Sequence, residues 1–325
     1  MPSLITRSLL AVTGLALLVA LPAAAAPRAV ASILPLHSLL AGVMQGVAEP
    51  ELLIPPGQSP HRIELRPSQA EHLSRAELVV WIGPNLETGL RKPVAVLGSN
   101  ARVLTLGEDA ELAVLPTREG GVWEGHEHGG HEAHHEDPKA ESHPHVGHAD
   151  EHHDGVDPHL WLSPSQAAGI VRRLADTLSE LDPGHAERYR ANTATMLGRL
   201  DALDVRLEQR LAPVREIPYL VFHDAYQYFE QRYRLHAVGA VTIDPEHAPG
   251  ARRIAELRAR IAASGARCVF AEPQFEPRIL RTLLDGSTAR AGELDPIGAA
   301  LTPGEDAYFA LLDGLADALV GCLTH

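Results

Sequence analysis

Histidine is the residue type in this sequence that most directly suggests chemistry. The chain has 325 residues and 19 histidines. Imidazole nitrogens that are dense in one segment and mixed with carboxylates are typical of metal binding. The alternative is a solvated, charged segment whose histidines bind metal only incidentally. Ten of the histidines lie in one such segment: His126, His128, His131, His134, His135, His143, His145, His148, His152 and His153.

Part of this segment matches the H-E-x-x-H pattern of zinc proteases. In those enzymes the pattern lies on a helix, which places both histidines on one face. Here Gly129-Gly130 precede the match at residues 131–135, and Asp137-Pro138 follow it. Because no apolar face would anchor a helix, we interpret the match as a coincidence of composition.

A second set of polar residues lies next to buried apolar segments elsewhere in the chain. Ligands of open parallel sheets bind outside the carboxyl ends of the strands. Imidazoles and carboxylates from the two halves of the chain could therefore meet across a cleft, and this donor set suits zinc. Taken singly, each residue is better explained as a hydrogen-bonded loop residue or a helix cap, and only the set as a whole favours a metal site. The set comprises His61, His159, His223, Glu272 and Asp295.

An alternation of predicted strands and helices positions these residues. The first half has predicted strands at Arg28–Leu34, Leu52–Ile54, Glu77–Ile82 and Arg102–Leu106, and the second half at Tyr219–Phe222, His236–Thr242, Cys268–Ala271 and Arg290–Leu294. Strands that alternate with helices predict the α/β class, with parallel sheets and helices on both faces. Between the halves, apolar residues recur every three or four positions from Tyr189 to Leu211. This spacing predicts a long helix that joins two lobes.

The charge pattern sets one segment apart. Residues 120–157 contain ten acidic residues and one lysine, with almost no large apolar side chains. Such a segment cannot bury enough surface to fold by itself, so we expect a disordered insertion. The whole chain has a formal net charge of -14. This acidic balance argues against a general nucleic-acid binder, which needs clustered Lys and Arg.

The N-terminus indicates export. Arg7 precedes an apolar run from Leu9 to Leu21, and small residues follow through Ala26. This pattern predicts a signal peptide cleaved near Ala26; the alternative is an uncleaved membrane anchor. An exported chain with two cysteines, Cys268 and Cys322, favours a disulfide over two buried free thiols.

We therefore expect four regions. They are a signal peptide at 1–26, an N-terminal lobe at 27–182 that includes the insertion at 120–157, a linking helix at 183–212 and a C-terminal lobe at 213–325.

Several local sequences are similar to one known family. They are PGQSPH at 56–61, LRPS at 65–68, LVVWIGP at 78–84, DPHLWLSP at 157–164, FHDAY at 222–226, VFAEPQF at 269–275 and LDPIG at 294–298. In order and over nearly all of the mature chain, they resemble the ZnuA family, the periplasmic zinc-binding proteins of ABC importers within the metal-binding cluster A-I. The resemblance implies two Rossmann-like lobes joined by a long rigid helix, with zinc in the cleft between them. It also implies that the family's cysteine pair corresponds to Cys268 and Cys322.

The resemblance implies a ligand set as well. The family's three histidine ligands correspond to His61, His159 and His223. Its fourth position is filled by water, by a carboxylate at the position of Asp295, or by a glutamate just before the first histidine. That last position is Pro60 here, so we expect Asp295 or water. Manganese-binding relatives usually carry a glutamate where this chain has His223, and nitrogen at that place favours zinc.

The function implied is delivery of Zn²⁺ to an inner-membrane ABC permease with its cytoplasmic ATPase. We expect a periplasmic monomer that makes and breaks no bond, and an insertion that collects zinc or senses its abundance. One alternative is a periplasmic zinc buffer or chaperone without a permease. Another is a zinc-dependent hydrolase, for which Glu272 is the available general base. An adhesin role, which occurs among cluster A-I relatives, is a further alternative.

Overall fold

The computed structural model describes residues 26–118, 123, 155–242, 245, 249–275 and 278–325. The expected signal peptide, apart from Ala26, and all ten histidines of the insertion lie outside the described residues. Within the described ranges, every helix is too short or too polar to cross a bilayer.

The N-terminal lobe is built on a parallel sheet. Its strands are β1 (Ala29–Ala31), β2 (Glu51–Leu52), β3 (Leu78–Trp81) and β4 (Arg102–Thr105), in the order β2-β1-β3-β4. The helices between them are α1 (Leu34–Met44), α2 (Pro67–Arg75) and α3 (Arg91–Leu97). The predicted strand–helix alternation is confirmed for this half of the chain.

The C-terminal lobe repeats this arrangement. Its strands are β5 (Tyr219–His223), β6 (Ala237–Thr242), β7 (Cys268–Ala271) and β8 (Arg290–Glu293), and the sheet is again parallel, in the order β6-β5-β7-β8. The helices are α6 (Gln227–Tyr233), α7 (Ala251–Ser264), α8 (Arg278–Leu284) and α9 (Ala307–Leu323). In each lobe the first strand in the chain lies between the second and the third, so the two sheets share one topology.

Two long helices connect the lobes. They are α4 (Pro164–Leu181) and the 26-residue α5 (Ala186–Leu211), which is about 39 Å long at the usual helical rise. The apolar stripe predicted from the sequence is buried in α5 from Tyr189 to Leu211. The helix packs against α1, α4 and α9. It therefore contacts helices of both lobes.

The two lobes share one hydrophobic core. Alternate residues of β5 face opposite sides of its sheet, as strand geometry requires. Leu220 and Phe222 pack in a smaller cluster with residues of α7 and α8, whereas Tyr219 and Val221 belong to the large cluster that also contains β1, β3, α1 and α5. The core is therefore continuous from one lobe to the other.

The expected disulfide is present between Cys268 in β7 and Cys322 in α9, across a sequence separation of 54 residues. The bond attaches the C-terminal helix to the second sheet. Closing a loop of this length stabilises the fold by about 4 kcal/mol in the chain-entropy model.

The first strand is shorter than the sequence suggests. We predicted a strand over Arg28–Leu34 that Pro35 would end, but β1 stops at Ala31 and Pro35 lies in the first turn of α1. Proline is tolerated there because the first helical N–H groups have no intrahelical acceptor.

The end of the expected insertion is part of the folded lobe. Pro116 and Val156 form an antiparallel bridge. Beside it, the Thr117 N–H donates to the Gly155 carbonyl at 2.8 Å, and the Asp157 N–H donates to the Leu115 carbonyl at 2.8 Å. The boundary drawn at residue 157 was therefore too late, and Gly155 to Asp157 belong to the N-terminal lobe.

Candidate metal centre

Three histidines that are far apart in the sequence meet between the two sheets. His61 lies in the loop between β2 and α2, His159 immediately precedes a 3-10 helix at Leu160–Leu162, and His223 is the last residue of β5. Each offers a ring nitrogen, and these nitrogens all lie within 4.8 Å of one another. His159 and His223 are buried and His61 is half-buried. The convergence expected from the sequence is therefore present in the structure.

A buried carboxylate orients His159. The Asp157 Oδ1 atom lies 2.8 Å from the ring Nδ1 of His159 and accepts the backbone N–H of the same residue at 3.0 Å. The carboxylate favours the tautomer that carries its proton on Nδ1, which leaves the Nε2 lone pair facing the site. Burial raises the pKa of Asp157 to about 7.

A second buried carboxylate orients His223. The Glu272 Oε1 atom lies 2.6 Å from the ring Nδ1 of His223 and accepts the Tyr226 hydroxyl at 3.2 Å. Glu272 directly follows β7, so the adjacent strands β5 and β7 present both groups at one edge of the sheet. Carboxylate–histidine pairs of this kind fix the ring and raise its basicity in metal sites. As placed, Glu272 is bound to His223, so it is not the free general base that a hydrolase would need.

The spacing of the two oriented rings fits a tetrahedral cation. The Nε2 atoms of His159 and His223 are 3.3 Å apart. A tetrahedral ion with metal–nitrogen bonds of about 2.0–2.1 Å holds its nitrogen ligands about 3.3–3.4 Å apart. The ring centroids of the three histidines are 5.2 to 5.6 Å apart. The pair therefore has the separation that zinc requires.

The two buried rings differ in how readily they take up a proton. Burial lowers the pKa of His159 well below its ordinary value, and the nearby charge of His223 lowers it further. Burial also lowers the pKa of His223, but the Glu272 carboxylate, together with Asp224 and Asp157, raises it by more, so the net shift is upwards. The two rings cannot both hold a proton on nitrogens that face each other at this distance. Neutral imidazole is the form that binds metal.

Asp295, the expected alternative fourth ligand, is held in other contacts. Its Oδ1 atom accepts the Gln274 side-chain N–H at 3.0 Å and the backbone N–H groups of Ile297 and Gly298 at 3.2 and 2.9 Å. Its Oδ2 atom accepts the backbone N–H of Ala299. The group of mutually close ligand atoms comprises the three histidines, and ligation by Asp295 stays a prediction.

A narrow pocket lies beside the three histidine rings. Its lining includes Ser59 and Pro60 from the loop that carries His61, and Gln274 and Phe275 from the loop after β7. Trp161 closes another side, and its ring lies 5.3 Å from that of His159. Pro60, the residue before His61, thus forms an apolar wall of the pocket, and its side chain supplies no ligand atom.

The sequence analysis did not identify two parts of this site. Asp157 lay within a recognised motif, but it was given no role; its position two residues before His159 was the available signal. Arg118 is the second part. Its guanidinium donates to Asp224, which follows His223, and to Glu230 in α6, with the Nη1–Oε2 distance at 2.6 Å. Because Arg118 and Asp224 are 106 residues apart, no local pattern pointed to this contact.

Comparison with known proteins gives consistent results. The ZnuA family model, described as zinc-uptake complex component A, periplasmic, matches residues 29–322. The high-affinity zinc uptake system protein ZnuA of Brucella suis is 44% identical over 308 residues, which cover 91% of each chain. A crystal structure of ZnuA has a TM-score of 0.73 at 23% identity, covering 92% of this chain and 99% of that one. The periplasmic zinc-binding protein TroA from Treponema pallidum has a TM-score of 0.72 at 21% identity, with coverage of 92% and 99%.

Proposed function

The chain belongs to the ZnuA family, and we propose from this membership and from the geometry that it binds one Zn²⁺ ion through His61, His159 and His223. The observation that carries the ligand assignment is the 3.3 Å separation of two ring nitrogens, each backed by a buried carboxylate. Three nitrogen donors favour zinc over the harder manganese ion. Asp295 or a water molecule completes the coordination.

Family membership also defines the kind of activity. ZnuA proteins are periplasmic substrate-binding proteins of ABC transporters and not enzymes. The partners are accordingly the permease and the ATPase of a zinc importer. We propose further that the mature protein is a monomer, released by cleavage of residues 1–26, with lobes at 27–182 and 213–325 and a link at 183–212.

The insertion supports the same function in our proposal. Its ten histidines, spread among carboxylates, can bind zinc weakly at several places, and the last of them, His153, is six residues before His159 in the sequence. We propose that it collects zinc or senses its abundance, while the tight site lies elsewhere. Deletion of residues 120–154 should therefore leave one tight zinc equivalent in a titration against a competing chelator. The deletion must stop before Gly155, because residues 155–157 are paired with the folded lobe and orient His159.

Single substitutions test the ligand set. His61→Ala and His223→Ala should each lose tight zinc binding in the chelator titration, while circular dichroism shows that the fold is kept. His72→Ala is the matched control. His72 is an exposed residue of α2 that pairs with Glu51 of β2. Wild-type affinity in either ligand variant would contradict the assignment.

A further inference from the structure

Two polar atoms in the pocket beside the histidines are buried without partners. They are the Ser59 hydroxyl oxygen and the side-chain carbonyl oxygen Oε1 of Gln274. Within the described part of the chain neither atom has a hydrogen-bond partner. A buried polar group without a partner destabilises the fold, and two such groups in one pocket call for a ligand that satisfies both.

The orientation of Gln274 is fixed. Its side-chain N–H donates to Asp295 Oδ1 at 3.0 Å, and the Asp295 carboxylate is itself held by three backbone N–H groups. Because the Asp295 carboxylate offers only acceptor oxygens, the side-chain nitrogen of Gln274 must face Asp295. The amide therefore presents its oxygen, and not its nitrogen, on the other side. The pocket consequently offers two acceptor oxygens close to the three histidine rings.

A water molecule bound to a metal ion matches this arrangement. Its oxygen binds the cation, which leaves two hydrogens to donate, and a buried water is stable when it has two to four polar partners. An anion such as chloride or azide has no hydrogen to donate and would face the Gln274 oxygen unfavourably. A carboxylate from the protein would have the same difficulty.

We propose that Gln274 Oε1 and Ser59 Oγ accept hydrogen bonds from a water molecule that occupies the fourth position on the zinc ion. Asp295 then acts as a positioning residue that fixes the amide of Gln274, and is not itself a ligand. This inference rests on the proposed function, because it requires the three-histidine zinc site.

The test uses the mature protein loaded with Co²⁺, whose absorption spectrum reports its coordination, together with zinc titrations against a chelator. We expect one tightly bound Co²⁺ per wild-type chain once weakly bound metal has been removed, and a spectrum that azide does not change. Gln274→Met and Ser59→Ala should each weaken zinc binding about tenfold, the lower end of the effect expected for residues that support metal ligands. In Gln274→Met azide should replace the water and change the cobalt spectrum, whereas Ser59→Ala keeps the Gln274 oxygen and should not respond to azide. Asp295→Asn alters only the residue that positions Gln274, so it should weaken zinc binding no more than Gln274→Met does, whereas loss of a direct ligand would weaken it further.

The control is Thr193→Val. Thr193 in α5 also has a buried hydroxyl without a partner, but it lies outside the pocket. This variant should match the wild type in zinc affinity and in its lack of response to azide. An effect in Thr193→Val as large as in Ser59→Ala would mean that any orphaned hydroxyl matters, and would overturn the inference.

Two further results would overturn it. One is that Gln274→Met and Ser59→Ala both bind zinc with wild-type affinity and, like the wild type, show no response to azide. The other is that Asp295→Asn binds zinc more weakly than Gln274→Met does, which would make Asp295 the ligand. In both cases the wild type still binds one equivalent, so the proposed function stands. A wild type without one tight equivalent would overturn the proposed function and this inference together.

Discussion

Single side chains around the metal centre decide which nitrogen atom of each ring faces the ion. Asp157 and Glu272 each lie within 2.8 Å of the Nδ1 atom of a histidine. Since an imidazole that donates from Nδ1 has its lone pair on Nε2, each carboxylate prepares its ring before metal arrives. The two rings are therefore already oriented in the folded protein, and metal binding does not have to order them.

This arrangement predicts a loss of affinity in Glu272→Ala. Without the carboxylate the His223 ring loses its acceptor, and zinc affinity should fall by about 10–100-fold. Glu272→Gln should lose less, because an amide oxygen still accepts from Nδ1. Competition titrations with a chelator measure both variants. Glu293→Ala, at the exposed end of β8, is the control and should bind as the wild type does.

The same pair predicts a pH effect with a defined sign. Glu272 raises the pKa of His223 above its ordinary value, so protons begin to compete with zinc at a higher pH than for a free imidazole. In Glu272→Ala the pH at which zinc affinity declines should move down. An unchanged pH profile would mean that Glu272 does not act on His223 through its charge.

A buried carboxyl group away from the centre carries a separate prediction. Glu87 is buried, its pKa is raised to about 7 by burial, and it accepts hydrogen bonds from Ser32 and from the Ile82 and Gly83 backbone. A carboxyl with a raised pKa binds its proton more tightly in the folded state. The free energy of unfolding should therefore decrease as the pH rises from about 4.3, the ordinary pKa of a glutamate, through about 7, the raised pKa of Glu87. Denaturation of the zinc-free protein across this range should show the slope in the wild type and a flatter dependence in Glu87→Gln.

Between elements, the most consequential contact joins the base of the insertion to the C-terminal lobe. Arg118 pairs with Asp224 and Glu230, and the side chains of all three residues are at most 19% exposed. The Tyr228 hydroxyl in α6 accepts the Leu115 N–H at 2.8 Å and lies 3.0 Å from the Asp157 carbonyl, to which it donates. The backbone that carries His159 is thus held against the helix that follows His223.

Removal of Arg118 should be costly. Arg118→Ala leaves two buried carboxylates without their cation, and such a loss typically destabilises a protein by about 3–5 kcal/mol. Chemical denaturation measures this directly. Arg75→Ala is the matched control, because Arg75 and Glu71 form an exposed pair within α2 that contributes less than about 1 kcal/mol. Equal effects in the two variants would contradict the buried-pair interpretation.

These contacts also show where sequence reasoning succeeds at the level of elements. The spacing of apolar residues from Tyr189 to Leu211 and the strand–helix alternation were sufficient to predict α5 and both sheets, since each signal is local. The three histidines were candidates because His159 and His223 adjoin apolar segments and His61 lies in the loop after one, and the resemblance to the ZnuA family implied them as a ligand set. The Arg118 contact and the two orphaned oxygens of the pocket depend on residues distant in sequence, and no periodicity encodes them.

Across the whole molecule, the disulfide adds a covalent link between a helix and a sheet that also pack against each other. Cys268 and Cys322 tie α9 to the second sheet. Cys268→Ser with Cys322→Ser should reduce the free energy of unfolding by about 4 kcal/mol. Zinc affinity should persist, because neither residue belongs to the cluster of potential ligands. A reducing agent should reproduce the effect in the wild type and leave the double variant unchanged.

The continuous core has a consequence for how the molecule responds to heat. Two lobes with separate interiors would melt independently, whereas here α1, α4, α5 and α9 contribute to one apolar cluster that reaches both sheets. Calorimetry of the zinc-free protein should accordingly record a single endothermic peak whose calorimetric and van't Hoff enthalpies agree. Saturating metal should raise the temperature of that single peak. Metal binding at one small site would then stabilise the entire chain against unfolding.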